Sequence, residues 1–161
     1  MHYLMWRACK MRSDYLNENS SISNLDNKVK RLTSSITLTA DDSGSVFILD
    51  VAGGLTVTLP TCAPGINFKF IVGTTFTTAG IINTAATDEL YVGTLMLVDP
   101  ATATDMNSFS ADVSNDDTID LGSAGQGWLQ GGWFNLVGLS GTRWHVDGQL
   151  VGDGTLATPF E

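Results

Sequence analysis

A chain of 161 residues, 43% hydrophobic and only 16% charged, is long enough for one domain with a sizeable core. Six of the eight basic residues fall within the first 31 positions, and after Leu32 fourteen acidic residues stand against two basic ones, for a net charge of −9. So acidic a body cannot track a phosphate backbone and is repelled by an anionic bilayer surface, so nucleic acid and membrane are excluded as expected partners.

Residues 1–32 are expected to form an arm set apart from a domain at 33–161. Tyr3-Leu4-Met5-Trp6 is interrupted by Arg7 and Lys10, so no secretory signal is expected, and Met11 is a plausible second start. No stretch approaches the roughly 20 apolar residues of a membrane span. Ile22, Leu25, Val29 and Leu32 recur at spacings of three, four and three, which predicts a short amphipathic helix capped by Ser20 or Ser21, with Lys28, Lys30 and Arg31 in its last turn. A helix that short is marginal alone and needs its own domain, symmetry mates or another protein to pack on. The four apolar residues are the expected anchors to a partner, and the three cations the expected charge contacts.

From Ser35 the period changes to two. Ile36-Thr37-Leu38-Thr39 alternates, Asp41-Asp42-Ser43-Gly44 reads as a turn, and Val46 to Val51 as a buried or half-buried strand. Ala52-Gly53-Gly54 suits a tight hairpin, leading into Leu55-Thr56-Val57-Thr58-Leu59 with its leucines and valine inward. Pro60 ends that strand because proline cannot donate to a ladder. Cys62 is expected to be a small buried thiol. Cys9 and Cys62 are too few and too distant for a disulfide framework, and both are expected reduced, as suits assembly in a cytoplasm. Phe68 to Val72 is a further strand with Phe68, Phe70 and Val72 on one face. Strands are also predicted near Ile81, over Leu90–Val92 and Thr94–Val98, near Phe109 and at Thr118–Leu121. Residues 101–117 read as an exposed acidic loop. Trp133–Leu139 and Arg143–Val146 form a predicted hairpin across Ser140-Gly141-Thr142, and Asp147-Gly148 is a turn signal. The fold expected is all-β: a sandwich or barrel, jelly-roll-like, of short antiparallel strands with an N-terminal arm or short helix.

Reactive constellations are sparse. His145 lies on the opposite strand face from Trp144 and Val146, and no serine and acid are spaced around it as a triad requires. Neither zinc-type His and Cys spacing nor a phosphate-cradling glycine loop is present. Asp112, Asn115, Asp116, Asp117 and Asp120 offer oxygen ligands of the kind calcium takes, but without the glycine and distal glutamate of an EF-hand loop, so a solvated acidic loop is expected. Asp41-Asp42 and Asp88-Glu89 read as turn residues, and no acid pair is singled out for glycoside hydrolysis. No catalytic residue, cofactor or metal is expected, and the chain reads as a non-enzyme. Trp133 and Trp144 share periodicity with apolar neighbours and are expected in the core. Trp128, among glycines, is the aromatic expected to meet a partner.

The run from Leu38 to Pro60 (LTADDSGSVFILDVAGGLTVTLP), its continuation Ala63-Pro64-Gly65-Ile66-Asn67-Phe68-Lys69-Phe70-Ile71-Val72 and the closing Ser140-Gly141-Thr142-Arg143-Trp144-His145-Val146-Asp147-Gly148 resemble a pattern of strands and turns found in virion proteins of tailed bacteriophages. The group includes capsid decoration (cement) proteins and appendage or fibre proteins. The resemblance covers under half of the chain. It implies a β module, often trimeric, that binds the major capsid protein on the outside of the assembled head, or else a trimeric fibre or tail-tip module that binds host-surface glycans.

Overall fold

The computed structural model describes residues 28–102 and 105–161. They form two β-sheets enclosing one core, with 3-10 turns as the only helical elements among them. The chain order is β1 (Val29–Leu32), β2 (Ile36–Thr37), β3 (Ser45–Leu49), β4 (Leu55–Thr58), β5 (Asn67–Val72), β6 (Gly80–Asn83), β7 (Leu90–Val98), β8 (Met106–Ser110), β9 (Thr118–Asp120), β10 (Trp133–Ser140) and β11 (Arg143–Val151). The large sheet runs β1-β3-β5-β10-β11-β7-β8 and the small sheet β2-β4-β6-β9. The expected all-β character is observed; of the sandwich and barrel alternatives the strands form two sheets, and many of their pairings are parallel where antiparallel ones were expected.

The path of the first half differs from a series of hairpins. From β1 to β6 the chain alternates between the sheets, and each strand pairs in parallel with the one two elements earlier: β1 with β3 and β3 with β5, β2 with β4 and β4 with β6. Ala52-Gly53-Gly54 is therefore a corner between sheets, not a hairpin. It stacks on the next corner, where the Thr77 amide donates to the Ala52 carbonyl at 2.7 Å and the Thr78 hydroxyl to that of Gly53. Gly54 has φ +79° and a Cβ there would run into the Ala79 carbonyl oxygen, so both conformation and space demand glycine. The second half closes the coil with antiparallel strands. β10 pairs with β5 and with β11 in the predicted hairpin, while β11 runs parallel to β7.

Parallel stacking has a packing reason. Residues in register on successive strands pile like on like, so Phe47, Phe70 and Phe134 form an aromatic ladder across β3, β5 and β10 with centroids 5.5 and 5.1 Å apart. Phe68 extends it to Trp144 at 6.0 Å. Leu55, Val57 and Leu59 face the same core from the small sheet, as their alternation predicted.

Two expectations are corrected here. The helical seam fails at its C-terminal half: Val29, Lys30, Arg31 and Leu32 form strand β1, while Ile22 and Leu25 lie outside the described residues. As a strand, Val29 points outward, 51% exposed, and Leu32 enters the core. The carbonyls of Lys28 and Leu32 accept from the amides of Val46 and Asp50. A ready-made parallel edge satisfies the backbone better than a helix of one and a half heptads can alone. The large sheet consequently includes Val29–Leu32. Asp147-Gly148 is not a turn but lies within β11, where Gly148 makes room for Phe134 of the neighbouring strand.

Candidate functional site

The expected charge contacts are largely engaged within the domain. Lys30 Nζ sits 2.6 Å from Asp42 Oδ1 and 6.0 Å above the Phe47 ring, and Arg31 pairs with Asp50. Lys30 points to the inner side of an edge strand, a device that discourages strand addition to that edge. Lys28 is exposed. Lys30, with help from the Thr39 amide, holds the Asp42 carboxyl below its usual 3.8. The hydroxyl of Thr74 and then Arg31 lower Asp50 likewise. A depressed carboxyl stabilises the fold above the unfolded-state value and loses that contribution as pH falls through the folded one. The expected result is an Asp42 midpoint below 3.8 in an NMR titration, moving upward in Lys30→Met. An unchanged midpoint would show that the ion pair does not form in solution.

Cys62, Glu89, Tyr91 and Trp144 meet inside the domain. Glu89, read from sequence as a turn acid, is 3% exposed. Its Oε1 accepts the Cys62 amide at 2.9 Å and its Oε2 the Trp144 indole N–H at 3.2 Å. The carboxylate thus braces the 60–64 segment to β11. Burial pushes the Cys62 thiol up, and the thiol donates to the Arg143 carbonyl at 3.2 Å. Burial, then the charges of Asp117 and Glu89, push the Tyr91 phenol up, and its O–H donates to the Ile82 carbonyl. A thiol kept protonated in this way is a poor nucleophile. His145 lies on the far side of the sheet, 3.8 Å from Asp147.

The acidic loop uses its carboxylates on itself: Asp112 accepts from the Ser114 amide and Asp116 from that of Asp112. Among the described residues no three His, Cys, Asp or Glu side chains converge as a metal-holding group, and no helix is long and apolar enough to cross a membrane.

Of the two tryptophans expected in the core, one lies there. Trp144 is fully buried, as predicted. Trp133 is half-buried on the outer face of the large sheet, where Lys69 Nζ lies 4.8 Å from its ring centroid. Trp128 packs against the core and bridges to Val151, and its indole N–H is buried without a partner. Trp128 is half-buried, like Trp133, and its glycine-rich surroundings fold back over β11, where Gly127 adopts φ +98° against Leu150.

The feature that sequence reading missed is the outer face of the large sheet. The register places two complete rows across it. One row reads Arg31, Ile48, Ile71, Trp133, Gln149, Met96, Ser108; the next reads Val29, Val46, Lys69, Asn135, Asp147, Thr94, Ser110. None of these outward residues is buried. A shallow groove of about 400 Å³ runs along the second row, lined by Val46, Asn67, Lys69, Asn135, Val137 and Asp147. Asn135 Nδ2 donates to Asp147 Oδ2 at 3.1 Å. The small sheet instead turns Thr37, Thr56, Thr58, Asn83 and Thr118 outward beside Ile81. The signal in the sequence was the near-continuous apolar run Val46-Phe47-Ile48-Leu49, which marks a strand apolar on both faces. A comparison with family models, curated proteins and solved structures finds no match to this chain.

Proposed function

We propose that this chain is a structural virion protein of a tailed bacteriophage, a decoration protein that binds the major capsid protein on the outside of the assembled head and stabilises the shell. The observation that carries the reading is the outward face of the large sheet: Val46, Ile48, Ile71, Trp133 and Met96 stand half-exposed or exposed together, a surface that marks an interaction site. The Leu38–Pro60 resemblance supplies the kind of assembly. A ligand that binds only the assembled shell stabilises it by its own binding free energy, and many symmetric copies multiply that effect. With Val29–Leu32 built into the sheet, adhesion falls to the exterior of the β block and to the segment preceding Lys28. Immunogold labelling of virions that carry this chain is the test. Label spread over the head supports the proposal; label confined to the tail, or none, overturns it.

A second reading draws on the row of Trp133 beside Gln149, with Asn135 and Asp147 adjacent: an indole among amides and a carboxylate suits stacking and hydrogen bonding to a sugar ring, as in a fibre module that binds host glycans. A glycan array with a Trp133→Ala control tests it, and the absence of Trp133-dependent binding rejects it.

A further inference from the structure

The outward rows of the large sheet have a symmetry of their own. β10 is the fourth of seven strands. One strand to one side of it stands Lys69 on β5, and one strand to the other side stands Asp147 on β11, with Asn135 on β10 between them. In the adjacent row Trp133 holds the centre, with Ile48 two strands away on one side and Met96 two strands away on the other. A two-fold axis along β10 keeps each row in place and exchanges its two halves. It would lay Lys69 of one copy over Asp147 of the other, twice, set Ile48 against Met96, and bring the two Trp133 side chains together at the centre. Such self-complementarity is what an isologous interface requires.

We propose that the outer face of the large sheet is the interface of a two-fold homodimer, two such faces packing with their strands aligned. This inference rests on the reading of the chain as a surface-assembled virion protein and names a second copy as the occupant of that face, which leaves contact with the shell to the small-sheet face, the loops and the segment preceding Lys28. Face-to-face sheets pack about 10 Å apart, a gap that a lysine and an aspartate reaching toward each other can span. The strands β3, β5, β10, β11 and β7, about 4.8 Å apart, turn between two and five residues each outward at a rise of about 3.3 Å per residue, which covers on the order of 600 Å² per copy, somewhat below the roughly 800 Å² of a standard specific interface. Neither Lys69 nor Asp147 has a Lys, Arg, Asp or Glu partner of opposite charge among the described residues; Lys69 lies over the Trp133 ring and Asp147 accepts from Asn135 with His145 3.8 Å away, contacts that a pair across the axis would share. The symmetry is two-fold where the resemblance to decoration proteins leads to an expectation of three.

The test is the mass of the purified full chain by sedimentation equilibrium, wild type against charge reversals. The wild type is expected at twice the chain mass. Lys69→Glu sets acid against acid and Asp147→Lys sets base against base, so each alone is expected to weaken dimerisation at least about 100-fold. The double variant Lys69→Glu with Asp147→Lys restores opposite charges across the axis and is expected to recover the dimer. Circular dichroism of each variant checks that the fold is retained, and Met96→Glu is a further interface variant that leaves this charge pair intact. A monomeric wild type, as would follow if residues 1–27 covered this face, overturns the proposal. So does a trimer, or a dimer indifferent to the single reversals. A dimer that labels no virion would reject the decoration role and leave the interface standing, whereas a monomer found on heads would do the reverse.

Discussion

Replacing Glu89 with leucine is expected to lower the unfolding free energy by about 3–5 kcal/mol, because it leaves two buried donors without an acceptor. The carboxylate takes the Cys62 amide on one oxygen and the Trp144 indole N–H on the other. An amide cannot stand in for it. Glu89→Gln offers one carbonyl oxygen, and turns an NH₂ group toward whichever donor that oxygen does not serve, so it is expected to cost about 2 kcal/mol on the same grounds. Urea unfolding followed by tryptophan fluorescence measures both, and the Trp144 indole proton resonance reports the lost bond directly. If Glu89→Gln were as stable as the wild type, the brace between the 60–64 segment and β11 would not depend on a carboxylate.

Phe70→Ala is expected to cost about 3–5 kcal/mol, the range for emptying a large aromatic site in a core that relaxes only in part. Phe70 is fully buried at the middle of the aromatic ladder, stacked on Phe47 at 5.5 Å and on Phe134 at 5.1 Å. Its removal opens a hole between strands from both halves of the chain, since β3 belongs to the parallel coil and β10 to the antiparallel closure. The comparison that isolates packing is Ile71→Ala. Ile71 is the next residue on the same strand but on the outer face, half-buried, and truncating it in a monomer is expected to cost about 1 kcal/mol, in proportion to the smaller area it hides. Denaturation at a protein concentration low enough to hold the monomer separates the two. Equal losses would mean that the inner and outer faces of β5 are not distinguished as described.

Period-two alternation was a reliable guide to which residues face inward. Leu55, Val57 and Leu59, and Phe68, Phe70 and Val72, all lie where alternation puts them, since side-chain direction in a strand is a local property. The β10–β11 hairpin was legible for the same reason: its strands are joined by two residues, and its register is set by the turn. Cys62 as a small buried thiol needed nothing beyond its setting after a strand-ending proline.

What a strand pairs with was not legible at Ala52-Gly53-Gly54. Glycines that permit a hairpin equally permit a corner, and the choice was made by like-on-like stacking between residues 20 or more positions apart, such as Phe47 on Phe70. At Val29 to Leu32 a three-four spacing fitted a helix, but the parallel edge of β3 offered backbone partners that no local signal announces. Glu89 looked like a turn acid because sequence does not show that the Cys62 amide and the Trp144 indole converge on it from 27 and 55 residues away.

By itself, the sequence determined most of the strand-forming segments after Ser35, their inward faces and the acidic body, because these follow from residue type and a two-residue period. The tertiary structure alone decided the parallel coil, the outward placement of Trp133, and the alignment of Lys69, Asn135 and Asp147 in one row. Each of these depends on register between strands far apart in the chain, and register is settled by the packing of the whole core.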